Sequence, residues 1–214
     1  MRLWALGLLG CLVGLSASAG TLDLKSSLPD IHVTSVTTTY SGGTLTATNS
    51  NAPGGMFGVE TNGAVGPDFT IAGATFLLTS KIDSSGNLAA GTQSVSITGG
   101  MLLNSSMTPV LASPSITGTI TDFGFAPGST RLFEFLFTID ASNAGGFIPL
   151  GTKAGIILDY GSNSGGFGAN FASTAGAGSV DVFATPTPAT ALGGVVLLGG
   201  VAVRRGFRRN RATA

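Results

Sequence analysis

Along much of this chain, apolar and hydroxyl side chains take turns. The run Ser94-Val95-Ser96-Ile97-Thr98 alternates at every step. That is the period of a strand with one buried face, because successive side chains leave a pleated strand on opposite sides. The same period runs through residues 31–40, 44–48, 69–82, 115–125 and 179–183. Ser41-Gly42-Gly43, Pro53-Gly54-Gly55, Ser84-Ser85-Gly86-Asn87, Pro127-Gly128 and Gly161-Ser162-Asn163 separate these runs and have turn compositions. Residues 132–139 and 156–158 instead place apolar groups on both sides, which predicts central strands buried on both faces. Between Ile116 and Phe125 the apolar positions switch from even (Ile116, Ile120) to odd (Phe123, Phe125), a change that one extra residue near Thr121-Asp122 produces. No body segment of helical length carries an apolar stripe at i, i+3 and i+4. The expectation is therefore an all-β, antiparallel body, sandwich or barrel-like, of roughly eight to ten strands. Nothing recurs at a fixed period, so a solenoid is not supported.

The two ends read differently. Met1-Arg2 gives a positive start, residues 3–15 are apolar, and Ala17-Ser18-Ala19 offers the small residues that signal peptidase accepts. The expectation is a signal helix over residues 1–19, cut after Ala19. Its apolar run is shorter than the ~20 residues of a spanning helix. Leu8-Leu9-Gly10-Cys11 offers lipoprotein processing as a rival, against which the apolar run continues through residues 12–15. Cys11 is the one cysteine, so a chain cut after Ala19 has no disulfide, thiolate metal site or cysteine nucleophile.

At the carboxyl end, Pro186-Thr187-Pro188 stops the last strand, since proline lacks the ladder donor. Residues 189–203 carry no charge, and Arg204, Arg205, Arg208, Arg209 and Arg211 follow. A helix over that apolar stretch reaches about 22 Å, short of the ~30 Å of hydrocarbon, so spanning relies on thinning, on Phe207 or on snorkelling arginines. The arginines hold the carboxyl end in the cytoplasm and leave the body outside the inner membrane.

Proline motif, short transmembrane helix and terminal arginines together resemble the PEP-CTERM sorting signal, with Thr187 where that family usually has glutamate. The resemblance covers residues 186–211. It implies recognition by an exosortase, processing near Pro186-Thr187-Pro188, and release to the cell surface or extracellular matrix of an exopolysaccharide-producing host of Gram-negative type. The domain order is then signal peptide 1–19, all-β body 20–185 and sorting signal 186–211. A plain single-pass anchor shares the same physics. A sortase signal would need Leu-Pro-x-Thr-Gly, and a GPI signal would end in its apolar run.

Composition narrows what the body does. Charged residues make up 9% of the chain and apolar ones 43%, so a core can form and charge-driven disorder is excluded. The zero net charge conceals a segregation, because the body holds all ten acids but only Lys25, Lys81, Arg131 and Lys153 as bases. An acidic body disfavours nucleic acid, and the arginine cluster belongs to the membrane segment. His32 is the single histidine, expected on the polar face of a strand. One histidine cannot build a usual zinc site, and no Gly-x-Ser-x-Gly elbow supplies a nucleophile. Glu60 with Asp68, or Glu134 with Asp140, are conceivable glycosidase pairs, but scattered acids offer many accidental pairings. Asp83-Ser84-Ser85-Gly86-Asn87 is oxygen-rich as calcium loops are, yet lacks their spaced acids and closing Glu, and a hairpin turn explains it better. Asn104-Ser105-Ser106 matches a glycosylation sequon of the kind expected by chance. Tyr40 and Tyr160 are too few for sugar stacking. Phe167 and Phe171 are the best candidates for an exposed contact, with packing onto the sheet edge as the alternative. The reading is a non-enzymatic structural or adhesive surface protein without cofactor or metal, with exopolysaccharide as a candidate partner. A carbohydrate-binding module and an anchored secreted hydrolase are the runners-up.

Overall fold

A computed structural model describes residues 21–49, 55–63, 67–125, 132–161 and 166–185. The expected signal (1–19) and sorting tail (186–211) lie outside the described residues. Among the described residues no helix is long and apolar enough to cross a membrane, and all regular structure is β.

Eight strands close an antiparallel barrel. They are β1 (Asp30–Ser41), β2 (Thr44–Asn49), β5 (Thr75–Ile82), β6 (Leu88–Thr98), β9 (Ser115–Phe125), β10 (Leu132–Ser142), β11 (Lys153–Asp159) and β13 (Gly178–Ala184). The barrel order is β1-β2-β5-β6-β9-β10-β11-β13, and β13 returns to pair with β1. Over Asp30–His32 the other edge of β1 pairs with β3 (Met56–Glu60). From there β4 (Phe69–Ala72), β7 (Met101–Asn104) and β8 (Pro109–Ala112) extend an outer sheet. A two-residue strand, β12 (Phe171–Ala172), adds to β1 at Thr39 and Tyr40.

Alternation explains the barrel. Ile31, Val33, Val36 and Tyr40 of β1, Phe76, Leu78 and Ile82 of β5, and Phe133, Phe135 and Phe137 of β10 are buried. An eight-stranded barrel is just wide enough for its own side chains to fill. Here the aromatics do so: Phe123 lies 4.8 Å from Phe135, and Phe167 packs 5.1 Å from Phe125 and 4.9 Å from Tyr40. Of the three buried polar residues among those described, Thr38, Asn49 and Ser80, Asn49 has both ends of its amide used, accepting from the Phe76 N–H and donating to the Ala74 carbonyl.

The bulge falls where the parity switch puts it. Leu136 pairs with Asp122 and Phe137 with Ile120, so Thr121 is the unpaired extra residue. Three expectations are corrected. Residues 69–82 are two strands, because the chain turns at Gly73 (φ 76°), sending β4 to the outer sheet and β5 into the barrel. The described residues hold thirteen strands, exceeding the expected eight to ten through short strands such as β7, β8 and β12. And β10 is not buried on both faces: Phe133, Phe135 and Phe137 are enclosed, whereas Leu132 is 46% exposed and Leu136 half-buried. Likewise Ile157 of β11 is only half-buried between Ile156 and Leu158.

What covers that outer face is the segment leading into β1. Glu134, pointing outward, accepts the backbone N–H groups of Leu22, Asp23 and Leu24 at 2.6, 3.1 and 3.0 Å. Beneath this strap the Phe183 ring is fully buried, crossing Gly155, where a Cβ would come within 2.7 Å of it. Charge-assisted bonds from three donors make Glu134 the clasp of the strap. Glu134→Gln is expected to speed hydrogen exchange at Leu22 and Leu24 roughly fivefold, the equivalent of about 1 kcal/mol of local stability. Unchanged exchange at those amides would show that the clasp holds nothing.

Candidate functional site

Titratable groups from three strands converge on the outer face of the junction between barrel and outer sheet. Asp30 and His32 come from β1, Asp181 from β13 and Glu60 from β3. Pairing aligns them: His32 stands opposite Asp181, and Asp30 opposite Glu60. His32 Nδ1 lies 2.5 Å from Asp181 Oδ1, an exposed ion pair when the ring is protonated. The Asp30 carboxyl is split between environments. Its Oδ2 accepts the Ser26 hydroxyl at 3.2 Å, while its Oδ1 is enclosed without a hydrogen-bond partner.

Those surroundings set the proton affinities. Burial, reinforced by the Asp181 charge, pushes Asp30 up to about 6; the Ser26 bond and His32 pull against this, and Glu60 adds to it. The hydrogen bond to Asp181 raises His32, opposed by partial burial and helped by the charges of Asp181, Asp30 and Glu60. Like charges directly opposite each other weaken a strand pair, so the Asp30–Glu60 register is relieved by a proton. A cleft of about 320 Å³ opens beside the cluster, with Gly58 and Pro67 completing its wall. Chemically the junction is a proton acceptor at mildly acidic pH. Among the described residues no three His, Cys, Asp or Glu side chains converge so as to hold a metal ion.

The other candidates are dispersed. Asp68 closes the turn after β3, accepting from the Thr61 hydroxyl and N–H, and these bonds hold its carboxyl below the usual range. Glu134 clasps the strap, and Asp140 accepts the Thr119 hydroxyl. Asp83 organises the β5–β6 hairpin by accepting the Ser85 and Asn87 N–H groups, and is lowered chiefly by the latter. The side-chain oxygen of Asn104 accepts the Ser106 and Thr108 N–H groups in the β7–β8 turn. Phe167 is buried and Phe171 half-buried, both inside the aromatic cluster with Tyr40 and Tyr160. His32 does stand on the polar face.

Asp30 and Asp181 were not among the residues that the sequence singled out. Period two assigns each to an outer face, but only register, which no local pattern carries, brings them to the histidine. Ala17, Ala19, Pro186, Thr187, Pro188 and the five terminal arginines lie outside the described residues. Scans against protein-family models, curated proteins and solved structures find no match to this chain.

Proposed function

We propose that this chain is an exported, non-enzymatic protein of the bacterial surface or extracellular matrix, handed by a PEP-CTERM-like tail to an exosortase-type enzyme. The observation that carries the proposal is the order of Pro186-Thr187-Pro188, the uncharged stretch 189–203 and the five arginines. The end of the fold supports it. Strand β13 pairs with both β11 and β1 to close the barrel and ends at Ala184. A cut within residues 186–188 therefore leaves every barrel strand whole. The non-enzymatic reading is supported by the use of Asp68, Asp83, Glu134 and Asp140 as acceptors that fix turns, strap and strands. A matrix role would place the body against exopolysaccharide.

Intact mass of the protein recovered from its host tests the sorting claim. The expected product begins at Gly20 and ends near residue 187. Changing Arg204, Arg205, Arg208, Arg209 and Arg211 to glutamine is expected to leave unprocessed chain. A product from the unchanged chain that retains Ala214 overturns processing and leaves a plain anchor. Turnover of a glycan or ester by the folded body would overturn the non-enzymatic reading.

A further inference from the structure

The outer wall formed by β10, β11 and β13 carries a groove of about 540 Å³ beside the strap. Leu24, Leu136 and Phe183 form its apolar part, and Asp23, Lys25 and Lys153 bring charge to it. All three charged side chains are exposed, and none has an ion-pair partner among the described residues. Two of the body's four basic residues thus meet at an apolar floor with one carboxylate.

Thr185 lines the same groove, and it is pinned there. Its hydroxyl donates to the Lys153 carbonyl at 3.1 Å, and the preceding Ala184 N–H donates to the Pro29 carbonyl at 3.1 Å. Ala189, the first residue of the uncharged stretch, is four positions further on. At ~3.3–3.6 Å per extended residue, four residues reach at most about 14 Å. While the tail is in the membrane, Thr185 therefore stays within about 14 Å of the start of the membrane segment.

We propose that this groove docks the headgroup of an aminophospholipid, with the phosphodiester on Lys25 and Lys153, the primary ammonium on Asp23, and the glycerol end over Leu24 and Leu136. The inference rests on the tail being a membrane segment, as argued under the proposed function. A lipid carrying both charges suits three unpaired groups of mixed sign. It also suits an acidic body, which a purely anionic surface would repel. Docking would hold Pro186-Thr187-Pro188 at the membrane surface until the tail is cut.

The test uses the full chain with Cys11→Ser, reconstituted in vesicles of phosphatidylethanolamine, phosphatidylcholine or phosphatidylglycerol. A nitroxide is placed at Ser26→Cys on the strap or at Ser84→Cys in the hairpin at the other end of the barrel. Relaxation by nickel chelated to lipid headgroups is expected to be severalfold stronger at position 26 than at 84 in phosphatidylethanolamine. It should fall in phosphatidylcholine, whose quaternary ammonium donates no hydrogen bond, and with Asp23→Asn. Lys25→Gln with Lys153→Gln should cut the difference to what the tether alone gives, the level seen in phosphatidylcholine, while thermal unfolding of the body stays unchanged. Strong relaxation at position 26 that ignores lipid type and all three substitutions is simple tethering and overturns the docking site alone. A chain extracted from the vesicles by alkaline carbonate has no membrane segment, and then the sorting reading and this proposal fall together.

Discussion

Gly118→Val is expected to abolish the cooperative unfolding transition of the body, and Gly118→Ala to cost about 3 kcal/mol, the upper end of the usual penalty for overpacking. Gly118 sits in β9 between the buried Ile116 and Ile120 and faces the barrel interior. A Cβ built there would lie 2.5 Å from the Thr138 carbonyl oxygen of the neighbouring strand, and against the Phe137 ring as well. A ring can rotate away; a ladder carbonyl cannot move without parting β9 from β10. Those strands hold the bulge at Thr121 and the aromatic wall Phe133-Phe135-Phe137, so parting them removes the face on which the core is built. A domain of ordinary stability has about 5–15 kcal/mol in total, and the branched side chain demands more than the alanine methyl does. Urea unfolding followed by far-ultraviolet circular dichroism measures both variants. An alanine variant with the unchanged midpoint would mean that β9 and β10 are not in this close approach.

Period two was sufficient to read β1, β2, β9 and β13 and which of their faces is buried, and it found the bulge at Thr121 because an inserted residue leaves its mark in the parity of Ile120 and Phe123. It could not divide residues 69–82, since Ile71 and Phe76 are both buried and only the backbone turn at Gly73 separates them. The doubly apolar look of residues 132–139 was misleading for a related reason. Leu136 and Phe183 are apolar because a strap crosses them, and the strap is held by backbone N–H groups, whose partners leave no trace in side-chain pattern. The junction cluster failed on range: His32 and Asp181 are brought together by the pairing that closes the barrel, across almost the whole body. Turn residues were the reverse case. Asp83, read as a hairpin-turn residue, acts on backbone two and four positions away, so its role follows from the local sequence; Asn104 acts in the same way in the β7–β8 turn but stands out in the sequence only as part of a sequon.

Asp30→Asn is expected to stabilise the body at pH 7 by about 1–2 kcal/mol and to have little effect at pH 3.5. Asp30 has a folded-state affinity for its proton near pH 6 against an ordinary value of 3.8. Between those values the folded protein keeps a proton that the unfolded chain has released, so stability falls as pH rises through that window and stays lower above it. A shift of roughly two pH units corresponds to about 3 kcal/mol, and solvent around this half-buried group screens that to the smaller figure. Asparagine keeps an oxygen for the Ser26 hydroxyl and removes the charge facing Asp181 and Glu60. His32 slopes the same way for a different reason. Its raised affinity contributes stability that is complete below the unfolded value of about 6.5 and is lost as pH climbs through the folded one, so His32→Gln should weaken the body at pH 5 and change little at pH 9. The wild-type junction, where β13 closes the barrel onto β1, is thus weakest in alkali, and the two variants flatten the profile from opposite ends. Denaturant midpoints of wild type and both variants at pH 3.5, 5, 7 and 9 separate these effects. A loss of stability on Asp30→Asn at pH 7 would show the carboxylate to be a partner that the junction needs, and the enclosed Oδ1 to be satisfied there.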